Sequence, residues 1–318
     1  MTKSRKTIAL NSKIDVAIIG GGPAGISALL WARKLGLKSL LIDRETRLGG
    51  QLNSIYNQIA DYPGRTARNG ADMLRHFIKS LGDAHDSLLL GTAAEKIDVQ
   101  NLEINLSPEG SIASKAIVLA MGVRRRRLNI PGEKEFEGKG LLISGAKQRG
   151  SVRGEFVAIV GGGDAAFENA LILAESAQRV YLIHRREQFS ARPEFVSRVH
   201  SDRRIELITD SFITRIEGDD RLRSVIVKER SGGAKREIRI DALLIRIGIE
   251  PNSELVKRQV KLDRSGYVIV DSHCQTSCPN IFAVGDIANP GSPTIATSVG
   301  TGAIAAQIIA KELRKYRL

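Results

Sequence analysis

Short, unbroken apolar runs alternate along this chain with longer stretches whose apolar residues recur at helical spacing. Residues 16–19 form the first run, with the length and composition of a buried strand. Ile26, Leu29, Leu30 and Ala32 follow at roughly helical spacing, and residues 39–42 are a second apolar strand. Another helical pattern covers 71–81, and strands of a small antiparallel insertion are expected at 94–99 and 102–106, then a further strand at 114–120. The opening pattern then returns, with a strand over 156–160, a helix to about residue 177 and a strand over 180–183. Further strands are expected at 205–208, 224–228, 237–240, 242–247, 267–270 and 280–284, before a small-residue helix over 296–311. Strands alternating with helices define an α/β class, and the length fits two domains.

The junctions between strand and helix carry the chemistry. The first is Gly20-Gly21-Gly22-Pro23-Ala24-Gly25, a G-x-G-x-x-G. Gly20 allows a tight turn, Gly22 lets backbone N–H groups approach a pyrophosphate, and Gly25 lets the helix pack on the strand. The helix N-terminus then faces the anion with its partial positive charge. Asp43, at the end of the next strand, is placed to accept hydrogen bonds from a ribose. The second junction is Gly161-Gly162-Gly163-Asp164-Ala165-Ala166, with a small residue in place of the third glycine. Its next strand ends in His184-Arg185-Arg186 instead of an acid. A terminal acid favours a free ribose 2′-OH, whereas arginines accommodate a 2′-phosphate. The first site therefore suits FAD and the second NADP. Surface charge is the lesser alternative for Arg185 and Arg186, given where they stand, whereas packing is the commoner account of a lone histidine, so His184 gains weight only through its neighbours.

Charge changes the picture of partners. The chain has 48 basic and 35 acidic residues, a net +13, and residues 124–248 hold 25 basic against 18 acidic, so the excess is spread and not held in a tail. No nucleic-acid motif accompanies it, and aromatic residues are only 4%, too few to interleave with the basic ones as stacking platforms. An acidic protein partner steered by the positive field is the better use, with simple solubility as the alternative. Residues 123–132 resemble a linker, and its four consecutive arginines, Arg124 to Arg127, are expected to be a solvated hinge. Residues 248–252 form a second crossing. No apolar run approaches the ~18 residues of a membrane span, and the basic N-terminal stretch lacks a secretory apolar segment. The two cysteines exclude a disulfide scaffold and fit the cytoplasm. No metal site is expected.

In collinear order, the chain carries Gly20 to Gly25, Gly49-Gly50-Gln51-Leu52, Tyr62-Pro63-Gly64, Ile130-Pro131-Gly132-Glu133, Gly161-Gly162-Gly163-Asp164, His184-Arg185-Arg186 and Gly285-Asp286. Together these resemble the low-molecular-weight thioredoxin-reductase family of flavoproteins. The resemblance implies two Rossmann-like, three-layer ββα dinucleotide-binding domains, the second inserted in the first. An FAD domain would span 1–122 and 251–318, an NADPH domain 126–247, and hinge crossings 123–125 and 248–250. A homodimer is also implied. FAD contacts would fall on Gly20, Gly22, Pro23, Ala24, Gly25, Asp43, Arg44, Gly50, Gln51, Leu52, Ala120, Gly122, Gly285, Asp286, Thr294 and Ile295, with Asp286 on the ribityl chain. NADPH contacts would fall on Gly161, Gly163, Asp164, Ala165, His184, Arg185, Arg186 and Arg192.

The chain departs from that family at one decisive place. The Cys-x-x-Cys pair that precedes the second glycine motif falls on Ser144 and Lys147, and the acid that follows falls on Gln148. Neither Ser nor Lys can cycle electrons as a dithiol. The two cysteines present, Cys274 and Cys278, have the wrong spacing and lie in the wrong domain. Smaller departures are Met121 for a threonine, Ser190 where an arginine is common (with Arg192 nearby), and Ser292-Pro293-Thr294 for an arginine-glutamine near the flavin. What remains is similar to the thioredoxin-reductase-type ferredoxin/flavodoxin–NADP reductases: hydride passes from NADPH to FAD, then electrons pass to an external carrier such as an acidic ferredoxin or flavodoxin. The alternatives are a second FAD in the NADPH pocket, or a redox-silent nucleotide-binding relative.

Overall fold

The computed structural model describes residues 14–315 except 109 and 234, so the reading of the basic N-terminal stretch lies outside the described residues. In chain order, β1 (Ile14–Ile19), α1 (Pro23–Lys34) and β2 (Ser39–Asp43) are followed by α2 (Gly70–Leu81), β3 (Leu88–Leu90), β4 (Ala93–Asp98), β5 (Glu103–Ser107) and β6 (Ser111–Leu119). The chain crosses through β7 (Val123–Arg125) into β8 (Leu141–Leu142), α3 (Gly145–Gln148), β9 (Phe156–Val160), α4 (Asp164–Ala174) and β10 (Arg179–Ile183). Then come α5 (Pro193–Ser201), β11 (Ile205–Ile208), β12 (Ser211–Gly218), β13 (Leu222–Glu229), β14 (Lys235–Arg239) and β15 (Ala242–Ile245). The return runs through β16 (Ile249–Pro251) to β17 (Ile281–Ala283) and α6 (Ile295–Lys315). The residues up to Arg124 and from Glu250 onward make one compact unit, and Arg125–Ile249 make a second, inserted in it.

In the first unit, β3, β2, β1, β6 and β17 are parallel neighbours, and β6 continues into the antiparallel pair β5 and β4. The apolar run of β1 is unbroken because both of its faces are covered. Val16 and Ile18 belong to the core that includes Leu29 and Ala32 of α1 and Ala305 and Ile309 of α6. Ala17 and Ile19 belong to the opposite core, with Ile97, Ile104, Val256 and Ile281. Each large apolar side chain fully buried there contributes about 1.5–3 kcal/mol. α1 and α6 approach closely: a methyl on Gly302 would lie 3.0 Å from the Ala28 nitrogen, so no larger residue fits.

The second unit repeats the plan. Its parallel sheet runs β11-β10-β9-β15-β8. Val157 and Ile159 of β9 pack with Phe167 and Ala170 of α4. Ala158 and Val160 face the other way, into a core with Val225 of β13 and Ile240. Helix layer, parallel sheet and the antiparallel β12–β13–β14 sheet make three layers.

The structure corrects several expectations. Residues 267–270 form no strand: Val268 makes only an isolated bridge to Leu262. The Asp263 carboxylate takes the amides of Ser265 and Tyr267 at 2.8 and 2.9 Å, so a local turn replaces a ladder. α4 stops at Ala174, short of residue 177. β12 and α5 were not expected from the sequence. The linker over 123–132 opens as a strand, and its four arginines are exposed, as expected of a solvated run, but three of them are tied to partners. Arg124 pairs with Glu250 at 2.8 Å and with Glu254, Arg126 Nε donates to the Ile249 carbonyl at 3.0 Å, and Arg127 pairs with Glu137. Their partners come from both near and distant sequence.

Candidate functional site

The first glycine turn is built by close backbone approach. Gly20 has φ +110° and donates to the Ile42 carbonyl at 2.8 Å, and a methyl there would meet the Ala120 carbonyl. A methyl on Gly25 would overlap the Gly20 carbonyl. Gly22, by contrast, faces open space, its nearest neighbour being the Gly50 Cα, 4.0 Å from where a Cβ would lie. It precedes α1, which has no side-chain cap and no acid in its first turn, with Pro23 at its start. The unpaired N–H groups of such a turn can hold an anion. Asp43 closes the turn: Oδ2 accepts from Gly21 N at 2.5 Å and Oδ1 from Glu45 N at 2.8 Å. Each oxygen retains a lone pair. Arg44 beside it is exposed and pairs loosely with Glu45 at 3.9 Å.

Further expected residues of the first unit converge on this turn. Gly49 N donates to Gly21 O at 2.7 Å, bringing Gly50 against Gly22. Gln51 Nε2 donates to the Val123 carbonyl at 3.2 Å, and Leu52 is buried behind it. Gly122 has φ +62° and accepts from Asn252 N at 3.0 Å, while Asn252 Nδ2 donates to Met121 O at 2.7 Å. Gly285 has φ +71°, and a methyl there would lie 2.8 Å from the Ala24 methyl. Asp286 is half-buried and accepts from Ser298 Oγ at 3.2 Å. Burial pushes its carboxyl up, partly offset by the Ser298 bond. Thr294 caps α6 by accepting from Thr297 N at 3.1 Å, one residue before Ile295 opens the helix. Sequence reasoning missed Asn252, Ser298 and Thr301, whose Oγ1 accepts from Gly285 N at 3.0 Å. The signal was present as hydroxyls at 294, 297, 298 and 301, all near one face of the last helix.

The second turn uses different chemistry. Gly161 has φ +151° and donates to Ile183 O at 3.1 Å. A methyl on Gly162 would sit within the imidazole of His184. That ring lies 5.5 Å from the Phe189 ring, with Nε2 3.2 Å from Gln188 O. Burial lowers the His184 pKa, and the charges of Arg185 and Arg186 lower it further. His184 is thus a neutral platform under the turn. Gly163 precedes α4 without a side-chain cap, and exposed Ala165 accepts from Asn169 Nδ2 at 2.6 Å. The Asp164 carboxylate receives Arg192 N at 2.7 Å and Nε at 2.8 Å, and Arg192 also reaches Glu194 at 3.1 Å. Arg192 is therefore held by two acids, while Arg185 and Arg186 are exposed at the end of β10, in no ion pair among the described residues.

At the place expected for a dithiol, Ser144 caps α3, accepting from Lys147 N at 3.4 Å. Gln148 Oε1 accepts from the amides of Ile143 and Ser144 at 2.7 and 3.1 Å. Cys274 and Cys278 are buried and unbridged. Cys278 Sγ donates to Gln259 O at 3.0 Å. Burial pushes the Cys274 thiol up to about 11, where little thiolate exists at neutral pH.

Two glycine turns, each leading from a parallel strand into a helix, one closed by an acid and one by a histidine-arginine run, define a protein with two dinucleotide sites. The model of the pyridine nucleotide-disulphide oxidoreductase family matches residues 14–302, and the chain belongs to that family. It is 33% identical over 305 residues to a ferredoxin–NADP reductase of Thermus thermophilus, covering 92% of this chain and 90% of that protein. It is 32% identical over 297 residues to a thioredoxin reductase of Mycolicibacterium smegmatis, covering 92% and 94%. The crystal structure of Lactococcus lactis thioredoxin reductase matches with a TM-score of 0.80 at 32% identity, over 95% of this chain and all of that one. The protein is an oxidoreductase of a group whose members use FAD and NADPH. Among the described residues, no helix is long and apolar enough to cross a membrane, and no cluster of ligating side chains could hold a metal ion.

Proposed function

We propose that this protein moves electrons from NADPH through FAD to a separate, acidic carrier protein of the ferredoxin or flavodoxin kind, without a dithiol relay. One observation carries the reading. Ser144 and Lys147 stand at the expected dithiol position, and the two cysteines of the chain are buried, unbridged and bonded to backbone carbonyls. The residues of the first unit fit FAD. Gly22 leaves a methyl-sized opening at the N-terminus of α1 for the pyrophosphate, and Asp43 keeps lone pairs for a ribose. Asp286, half-buried with Ser298 as its donor, gains from the hydroxyls of a ribityl chain. In the second unit, Gly163 and the N–H groups opening α4 take the NADPH pyrophosphate, and Arg185 and Arg186 take its 2′-phosphate. Bound FAD supplies the ring chemistry that accepts hydride and releases electrons. The protein holds both nucleotides, and its +13 charge draws in an acidic carrier.

The test is an anaerobic NADPH titration of the purified protein with FAD counted per chain, followed by NADPH oxidation with ferredoxin, flavodoxin or a protein disulphide as acceptor. The expected result is one FAD, bleached by NADPH, with turnover on the carrier proteins above that of free flavin and none on the disulphide. Two FAD per chain, or a flavin that NADPH leaves yellow, would reassign the second site. Turnover on the disulphide alone would overturn the choice of acceptor.

A further inference from the structure

A second group of arginines stands at the same edge of the second parallel sheet, on the opposite side of the glycine turn from Arg185 and Arg186, and has no part in the proposed function. β15 ends at Ile245, and Arg246 follows. Its N–H donates to Val160 O at 2.7 Å, which fixes it beside the second glycine turn. A methyl on Gly161 would meet its carbonyl. Its guanidinium lies across the strand ends, Nη1 donating to Ile245 O at 2.8 Å and Nη2 to Ile143 O at 2.9 Å. Burial, with the charge of Arg125 added, lowers the Arg246 pKa to about 10, and burial lowers that of Arg125 as well. The two guanidinium groups repel each other. Among the described residues neither has a carboxylate partner, although Arg124 and Arg127 on either side of Arg125 each hold one. Arg246 is half-buried and Arg125 is exposed, and like charges held together without a counter-ion favour an anionic ligand and disfavour a cationic one.

Position indicates the use. In an open parallel sheet a dinucleotide lies outside the carboxyl ends of the strands, at the point where strand order reverses. Here β9 lies between β10 and β15. With the pyrophosphate at the turn after β9 and the phosphorylated ribose toward Arg185 and Arg186 after β10, the nicotinamide half runs toward the end of β15. Arg246 stands there, with Arg125 close enough to repel it. The nicotinamide ring carries a positive charge when oxidised and none when reduced.

We propose that Arg125 and Arg246 sort the redox forms of the nicotinamide nucleotide, admitting the uncharged reduced ring and repelling the cationic oxidised one. The proposal rests on NADPH occupying the second site. Attraction of the arginines to the pyrophosphate is the same for both forms and cancels in the ratio of affinities. Repulsion between unit charges several ångströms apart in partly solvated surroundings is worth about tenfold in binding. The pair thus favours release of NADP+ after hydride has left.

The test measures, by calorimetry on the FAD-loaded enzyme, the Kd of NADP+ and of tetrahydro-NADPH, whose ring is uncharged and cannot reduce flavin. The wild type is expected to bind the tetrahydro form about tenfold more tightly. Arg125→Gln with Arg246→Gln brings that ratio close to one, chiefly by strengthening NADP+, while Arg246→Lys keeps the charge and the ratio. Arg185→Ala with Arg186→Ala weakens both forms alike. Flavin absorbance and Tm establish that each variant is folded. A wild-type ratio near one, or a tenfold ratio that survives in the double Gln variant, overturns the proposal. If the wild type binds neither nucleotide, the NADPH reading of the second site fails first, and this proposal fails with it.

Discussion

The two glycine turns share a backbone plan and differ in what holds the middle glycine. In the first turn a carboxylate grips it, Asp43 accepting from Gly21 N. In the second, Gly162 rests on the His184 imidazole, and its carbonyl accepts from Ser190 and Ala191 amides at 2.8 and 3.1 Å. The acid both clamps the turn and places negative charge beside it. The neutral histidine only fills space, which leaves the two exposed arginines beyond it to set the charge. The third small residue differs as well. Gly25 has the Gly20 carbonyl where a methyl would be, while Ala166 carries its methyl against Gly161. Glycine is obligatory only where backbone meets backbone, so the motif has different tolerances at its two occurrences.

The largest effect is expected from Gly25→Ala. Its methyl would strike the Gly20 carbonyl, a backbone atom that no rotamer change can move. We expect destabilisation of about 3 kcal/mol and loss of bound FAD, read as FAD per chain and Tm. The counterpart, Ala166→Gly, should lose about 1 kcal/mol through helix propensity and keep nucleotide binding. If Gly25→Ala retains its flavin, the two turns are not distinguished in this way. The next effect is smaller and carries its own control. Gly162→Ala pushes the His184 ring aside, weakening NADPH binding about tenfold, or about 1.4 kcal/mol, with FAD content unchanged. Adding His184→Ala vacates the space and restores binding. A double variant no better than the single one would remove His184 from its role as the platform.

What was legible in the sequence follows the range of the interactions. The strands around both turns stood out because Val16, Ala17, Ile18 and Ile19, like Val157 to Val160, are buried on both faces and leave an unbroken apolar run. β12 did not, because a register shift between Ile213 and Arg215 breaks its two-residue alternation. α5 did not, because only Val199 of its nine residues is buried. The false strand at 267–270 had the right composition, but Asp263 takes the amides of Ser265 and Tyr267. At the sites, the glycines and Asp43 are tied to local spacing. The inward packing of His184 and the capture of Arg192 by Asp164 depend on how segments far apart in sequence meet, which periodicity does not report.

The smallest expected difference between the turns is in their response to pH. The His184 pKa lies below its ordinary value of 6.5, first because burial disfavours the imidazolium and then because Arg185 and Arg186 repel it. Below pH 6.5 the unfolded chain therefore binds a proton that the folded turn resists. The stability contributed by the neutral ring is fully present above about pH 6.5 and is lost as pH falls through that value toward the folded pKa. The slope is at most one proton, because a single group titrates. Acidifying from pH 8 to pH 5.5 should weaken NADPH retention, whereas the first turn contains no histidine and should hold FAD over the same range. His184→Gln, which keeps a polar planar group but cannot take the proton, should reduce the slope to that of the ligand's own 2′-phosphate, whose second pKa is about 6. A slope as steep as the wild type's in that variant would mean that the imidazole under Gly162 contributes packing alone.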